Sequence, residues 1–189
     1  MLSARDMAAV QTARRVSADT TAASMLPVDR ALLGVSDFFE HFVISHGEPV
    51  EAIRSYGRDL GMFVQWLGES DAIRRPDVDN ALVDLRESSR RAARSVEIAE
   101  MLRDEVHLSD DLDDVDQPSL LVQGEFRVVG CRSGALDLAD RTTGTVYAGI
   151  GVRLVSAREI PRGLLVTGSI ALFEDGTRRL AEVLTVYPG

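Results

Sequence analysis

Two hydrophobic periods divide this chain. From Pro27 to Val106 apolar residues recur every three or four positions, the helical period, and from Leu121 to Tyr187 they alternate in short β-branched runs. In the first part Leu32, Val35, Phe39, Phe42 and Val43 form one stripe, and Gly47 is placed to end that helix. A second helix opens with Pro49 at its first position and Glu51 in its first turn, both favoured there. Its apolar positions are Ile53, Tyr56, Leu60, Phe63, Val64 and Leu67, and Gly68 follows. Gly57 and Gly61 each cost about 1 kcal/mol against alanine inside a helix, which predicts a close helix crossing at that face. The two helices are expected to form an antiparallel hairpin.

A third helix is predicted from Val78 to Val106. Val78, Leu82, Leu85, Ala92, Val96, Ala99, Leu102 and Val106 lie on its stripe, with Ser89 as one polar lapse. Glu87–Arg91, Arg94–Glu97 and Glu100–Arg103 have the spacing of stabilising ion pairs. At 1.5 Å per residue this helix reaches roughly 43 Å, longer than either partner in the hairpin, so its far end needs another neighbour. Upstream, residues 3–16 read as a short amphipathic arm, capped by Ser3 with Asp6 three residues on. Small polar residues from Ser17 to Ser24 read as a linker.

The later part predicts five strands, at Leu121–Val129, Ala135–Ala139, Val146–Val155, Leu164–Phe173 and Arg178–Tyr187. Turns are expected at Ser133-Gly134, Thr143-Gly144 and Asp175-Gly176, with one helical turn within Ser156–Gly163. The fold class is therefore α+β: an N-terminal helical region, comprising a short arm, a helical hairpin and one long helix, then a small five-stranded OB-like β-barrel. An SH3-like barrel or a short sandwich fits the strand pattern nearly as well. Domains are expected at 1–26 (arm and linker), 27–117 (acidic helical domain) and 118–189 (β-barrel).

Charge sharpens this division. The net charge of −9 is concentrated in residues 36–117, where twenty acids face nine arginines. Residues 118–189 are close to balanced, with eight arginines against seven acids. An acidic half disfavours general adhesion to nucleic acid or anionic membrane. No apolar run approaches the ~18 residues of a membrane span, and the N-terminus lacks the pattern of a secretory signal. Cytoplasm or virion both suit a chain whose one cysteine, Cys131, can form no internal disulfide.

Chemistry is sparse. The 21 basic residues are all arginine, and without lysine there is no Walker A loop, Schiff base or Ser–Lys pair. His41 and His46, five apart, point away from each other on a helix, and neither they nor His107 form a zinc spacing with Cys131. The run Asp110, Asp111, Asp113, Asp114 and Asp116 lacks the glycine and distant glutamate of an EF-hand loop, and reads as a solvated linker with room only for weak cation binding. Cys131 has no histidine partner in sequence and reads as a small boundary residue. Glu125 and Asp137 are the carboxylates that a barrel could bring together, with a salt-bridged surface as the default. No catalytic residue, metal or cofactor is implied, and the expectation is a protein that is not an enzyme.

Two pieces of the chain resemble the head–tail stopper or connector proteins of long-tailed bacteriophages. One is the opening Met1-Leu2-Ser3-Ala4 with its short Ala/Met helix. The other is Ile160-Pro161-Arg162-Gly163 before a strand, followed by Asp175-Gly176, Leu180, Val183, Val186 and Tyr187-Pro188-Gly189. The resemblance covers about a fifth of the chain, and the helical region from Pro27 to Val106 departs from the family pattern. It implies a small barrel assembled as a ring below the portal.

The expected function is thus a non-catalytic structural or assembly protein acting through protein–protein contacts, as a homo-oligomer or within a larger assembly such as a phage head–tail junction. The expected partner surface is the far half of the long helix, at Ala92, Val96, Ala99 and Leu102, where small residues permit close approach. The alternative is an OB-type module for single-stranded nucleic acid, reading through Arg127 and a stacking Tyr147. Phe126, in phase with Val122 and Val128, is expected in the core.

Overall fold

The computed structural model describes residues 32, 34–70, 72–112, 117–132, 134–152 and 160–189. The expected N-terminal arm, its linker and the helical turn within Ser156–Gly163 fall wholly or largely outside them. The chain is α+β. A short helix α1 (Val35–Asp37) passes into a π-helical segment (Phe38–Val43), followed by α2 (Val50–Glu69) and α3 (Arg75–Leu112). Five strands follow: β1 (Leu120–Arg132), β2 (Ala135–Asp140), β3 (Val146–Gly151), β4 (Leu165–Leu172) and β5 (Arg178–Tyr187). By compactness the chain forms two units, one of residues 1–43 and 51–90, the other of 44–50 and 91–189. The division falls between Arg90 and Arg91 inside α3, whereas the composition break at Pro118 marks the passage from helix to strand.

In the helical unit, α2 buries Ile53, Val64 and Leu67, while Val78 and Leu85 are the buried apolar residues of α3. The close approach expected at Gly57 and Gly61 is present only at the first: a β-carbon at Gly57 would sit 3.0 Å from the Ser89 hydroxyl, whereas one at Gly61 would find only a Leu82 methyl at 4.0 Å. A further close approach lies at Gly68, where a β-carbon would sit 2.7 Å from a Val78 methyl. Ser88 is fully buried and is satisfied by the Ser36 hydroxyl at 3.0 Å, as a polar group in a core must be. The π-helical segment changes one expectation. Its wider turn separates Phe42 from Phe39, so Phe39 and Val43 are buried while Phe42 is half exposed.

In the other unit the sheet closes on itself in the order β1-β2-β3-β5-β4, with β1 paired to both β2 and β4. β3 and β5 meet in parallel at one residue pair, Gly151 and Arg179. The three turn glycines read from sequence, Gly134, Gly144 and Gly176, all adopt positive φ, as such tight turns require. The core joins Phe126, Leu136, Leu138, Ile150, Val166, Ile170, Val183 and Val186 of the sheet to Ile98, Ala99, Leu102 and Val106 of α3. The far half of α3 therefore finds the neighbour it needs in its own chain.

Two register shifts between β4 and β5 leave Ala181 and Leu184 without opposite residues. They bring Leu180, Val183 and Val186, three apart, to the same interior. At the first shift a β-carbon on Gly168 would strike the Glu182 carbonyl, so only glycine fits. Arg103 of α3 donates through Nε to Val183 O at 3.0 Å and through Nη2 to Leu184 O. That is a correction to the expected Glu100–Arg103 pair. Arg94–Glu97 forms as read, at 3.2 Å. The acidic run is not wholly a linker, since α3 continues to Leu112.

Candidate functional site

The face expected to bind a partner is turned inward. Ala92, Ala99 and Leu102 are buried, and Ala99 and Leu102 belong to the core shared with the sheet. Val96 is half-buried and lines a small hollow with Ile44, Pro49, Arg103 and Val186. Ala99 and Leu102 thus stabilise their own unit, and of the four only Val96 keeps part of its side chain in solvent. Small side chains do permit close approach, but the chain's own strands make it.

The nucleic-acid alternative loses its platform. β2 and β3 pair Leu136 with Ile150 and Leu138 with Tyr147, so Ala148 and Gly149 together face Asp137. Gly149, at φ 72°, makes this bulge, which turns Tyr147 to the same side as Ile150. Tyr147 packs edge-on against the buried Phe126, ring centres 6.0 Å apart. Arg127 is exposed between the buried Phe126 and Val128, on the outer face.

The carboxylates also part company. Glu125 pairs with Arg141 at 2.8 Å. Asp137 accepts from Arg132 at 2.9 Å and from the Gly149 amide at 2.8 Å, holding the amide freed by the bulge. The Gly149 amide, then the Arg132 hydrogen bond, lower the Asp137 pKa, so it stays a carboxylate. Cys131 is half-buried, and burial followed by the Asp137 charge pushes its thiol up, away from the reactive thiolate. Asp140 and Asp175 are held low chiefly by hydrogen bonds from Thr143 and Thr177 respectively, as turn-forming groups. Among the described residues no three His, Cys, Asp or Glu side chains gather as a metal site. No helix among them is long and apolar enough to cross a membrane.

A groove of about 460 Å³ opens among the β1–β2 turn, the end of β3 and the β4–β5 turn. Gly134, Gly149, Gly151 and Gly176 leave its walls bare of side chains, while Glu105, Asp175, Arg178 and Arg179 give it both signs of charge. Arg178 donates to Ala148 O at 2.8 Å, and Arg179 lies over the Phe173 ring at 5.4 Å. No aromatic ring is among its described lining residues, so it offers no stacking surface to a base.

A candidate surface that sequence reading missed lies on the helical unit. Met62, Phe63 and Trp66 on α2 are 62%, 50% and 57% exposed. The Phe63 and Trp66 rings stack with centres 5.9 Å apart. One heptad back on the same face stands the exposed Tyr56, edge-on to Phe38 at 6.1 Å, and Phe38 stacks on Phe42 at 5.6 Å. Half of the chain's ten aromatic residues thus lie along one ridge. Its signal in the sequence was an apolar arc too wide for one core contact. The buried Ile53, Val64 and Leu67 with the half-buried Leu60 already form the core-facing stripe, which leaves Tyr56, Met62, Phe63 and Trp66 over. No protein-family model, curated protein or solved structure matches the chain.

Proposed function

We propose that this chain is a non-catalytic assembly protein that acts through protein–protein contacts, with the helical unit as its docking part and the closed sheet as an OB-like support. The aromatic ridge carries this reading. Large contiguous apolar patches are rare on monomers, and aromatic residues and Met are enriched at the centres of protein interfaces. The OB-like assignment draws on the strand order, in which β1 bridges β2 and β4 while β3 meets β5 in parallel. A place at a phage head–tail junction is the specific form suggested by the resemblance at the two ends of the chain. Cross-linking with mass spectrometry in the native host tests the function. Cross-links from the ridge to a protein, lost in the Phe63→Ser/Trp66→Ser double variant, are expected. A ridge without protein cross-links there would overturn the reading.

The OB-like strand order favours a second reading, a single-stranded nucleic-acid module using Arg127 on the outer face or Arg178 and Arg179 in the groove. Fluorescence anisotropy of a labelled oligonucleotide at low salt separates it from the first. Binding that falls steeply with salt and weakens in Arg127→Ala or Arg178→Ala would favour it.

A further inference from the structure

We infer that the occupant of the aromatic ridge is a second copy of this chain, with the two α2 helices packed antiparallel about a two-fold axis between Met62 and Phe63. This rests on reading the ridge as a protein contact and names the partner. Helical spacing puts Asp59, Phe63 and Trp66 on one exposed face, with Met62 at its edge. The same patch must serve both copies in a two-fold interface, so it has to be self-complementary. About this axis each Asp59 carboxylate stands opposite the partner's Trp66, whose indole N–H needs an acceptor once covered. Phe63 meets the partner's Phe63 across the axis, and Met62 the partner's Met62. Arg58 and Glu69 are exposed on one flank of the face, on opposite sides of the axis, so each Arg58 comes within about 3 Å, along the helix, of the partner's Glu69, an offset that two long side chains span. A parallel arrangement sets Asp59 against Asp59 and Arg58 against Arg58, which like-charge repulsion opposes. Charge and hydrogen-bonding capacity therefore select the antiparallel pair.

Sedimentation equilibrium of the full-length chain tests this, with circular dichroism to confirm that each variant folds. A concentration-dependent dimer is expected, weakened about a hundredfold or more by Trp66→Ala, since a central tryptophan is lost twice. Arg58→Glu and Glu69→Arg should each weaken it several-fold, and the double swap should restore it. Met62→Cys in a Cys131→Ser background should form a disulfide-linked dimer under mild oxidation. A chain monomeric at its highest soluble concentration, or a double swap that restores nothing, overturns the inference. So does dimerisation that appears only after deletion of residues 1–31, which would make that segment the occupant. If ridge cross-links to a different protein persist in the host, self-pairing fails while the assembly function stands.

Discussion

Phe126, Leu136, Leu138 and Ile150 in the sheet unit are shut away from water, whereas Phe63 and Trp66 in the helical unit are half exposed. Both regions are rich in apolar residues, so composition does not separate them. The difference lies in how each element disposes of its second face. A closed sheet has one interior, and the far half of α3 covers what the strands leave open. An isolated amphipathic helix such as α2 has one core-facing stripe, and any apolar residue beyond that stripe stays in solvent. The exposed apolar surface therefore lies on α2, which is why the proposed contact is placed there and not at the end of α3, where length and small residues suggested it.

The sharpest way to break this contrast is to charge each region in turn. Leu102→Asp buries an unpaired carboxylate in the shared core and should cost about 5 kcal/mol, unfolding the sheet unit in a thermal melt followed by circular dichroism. Gly168→Ala should cost about 3 kcal/mol in the same unit, because the new methyl meets the Glu182 carbonyl, which cannot rotate away. Urea titration would show a lower midpoint with an unchanged slope.

Asp137→Asn should cost about 1 kcal/mol, a modest figure because Arg132 on its other side is mostly solvent-exposed. It should also change the pH profile. The folded carboxyl is held below its unfolded value near 3.9, so its contribution is complete above about pH 5 and fades as pH falls through the folded pKa. The wild type should thus lose more stability than Asp137→Asn between about pH 5 and pH 3 in acid titration. Smallest of all, Phe63→Ser with Trp66→Ser should leave the melting temperature of the helical unit nearly unchanged, within about 0.5 kcal/mol each, while abolishing association. A large loss of stability in that variant would place the ridge in a core and erase the contrast.

Much of the secondary structure was legible because its signals are local. β5 runs over Arg178–Tyr187 as read, and α2 begins at Val50, right after Pro49. The glycine-led turns also follow from neighbours along the chain, whereas Gly57 only flagged a close approach whose partner, Ser89, lies on another helix. α3 runs past Val106 because the acidic residues beyond it still accept helical backbone, and an apolar stripe says nothing of where a polar helix stops. Tyr147 was misplaced because strict alternation carries no count of bulges, and one extra residue at Gly149 reverses every side chain beyond it. Phe42 was misplaced for the same kind of reason, a π turn in place of an α turn.

By itself the sequence determined the α+β class, the order of helices and strands and the turn positions. Each of these depends on residue type and short spacing, which a linear chain displays directly. Only the tertiary structure decided that the far half of α3 serves the sheet's core, that Asp137 holds a bulge and not Glu125, and that Phe63 and Trp66 remain outside. Such outcomes depend on which surfaces meet across long stretches of chain, and an apolar side chain reads the same in sequence whether a neighbour covers it or water does.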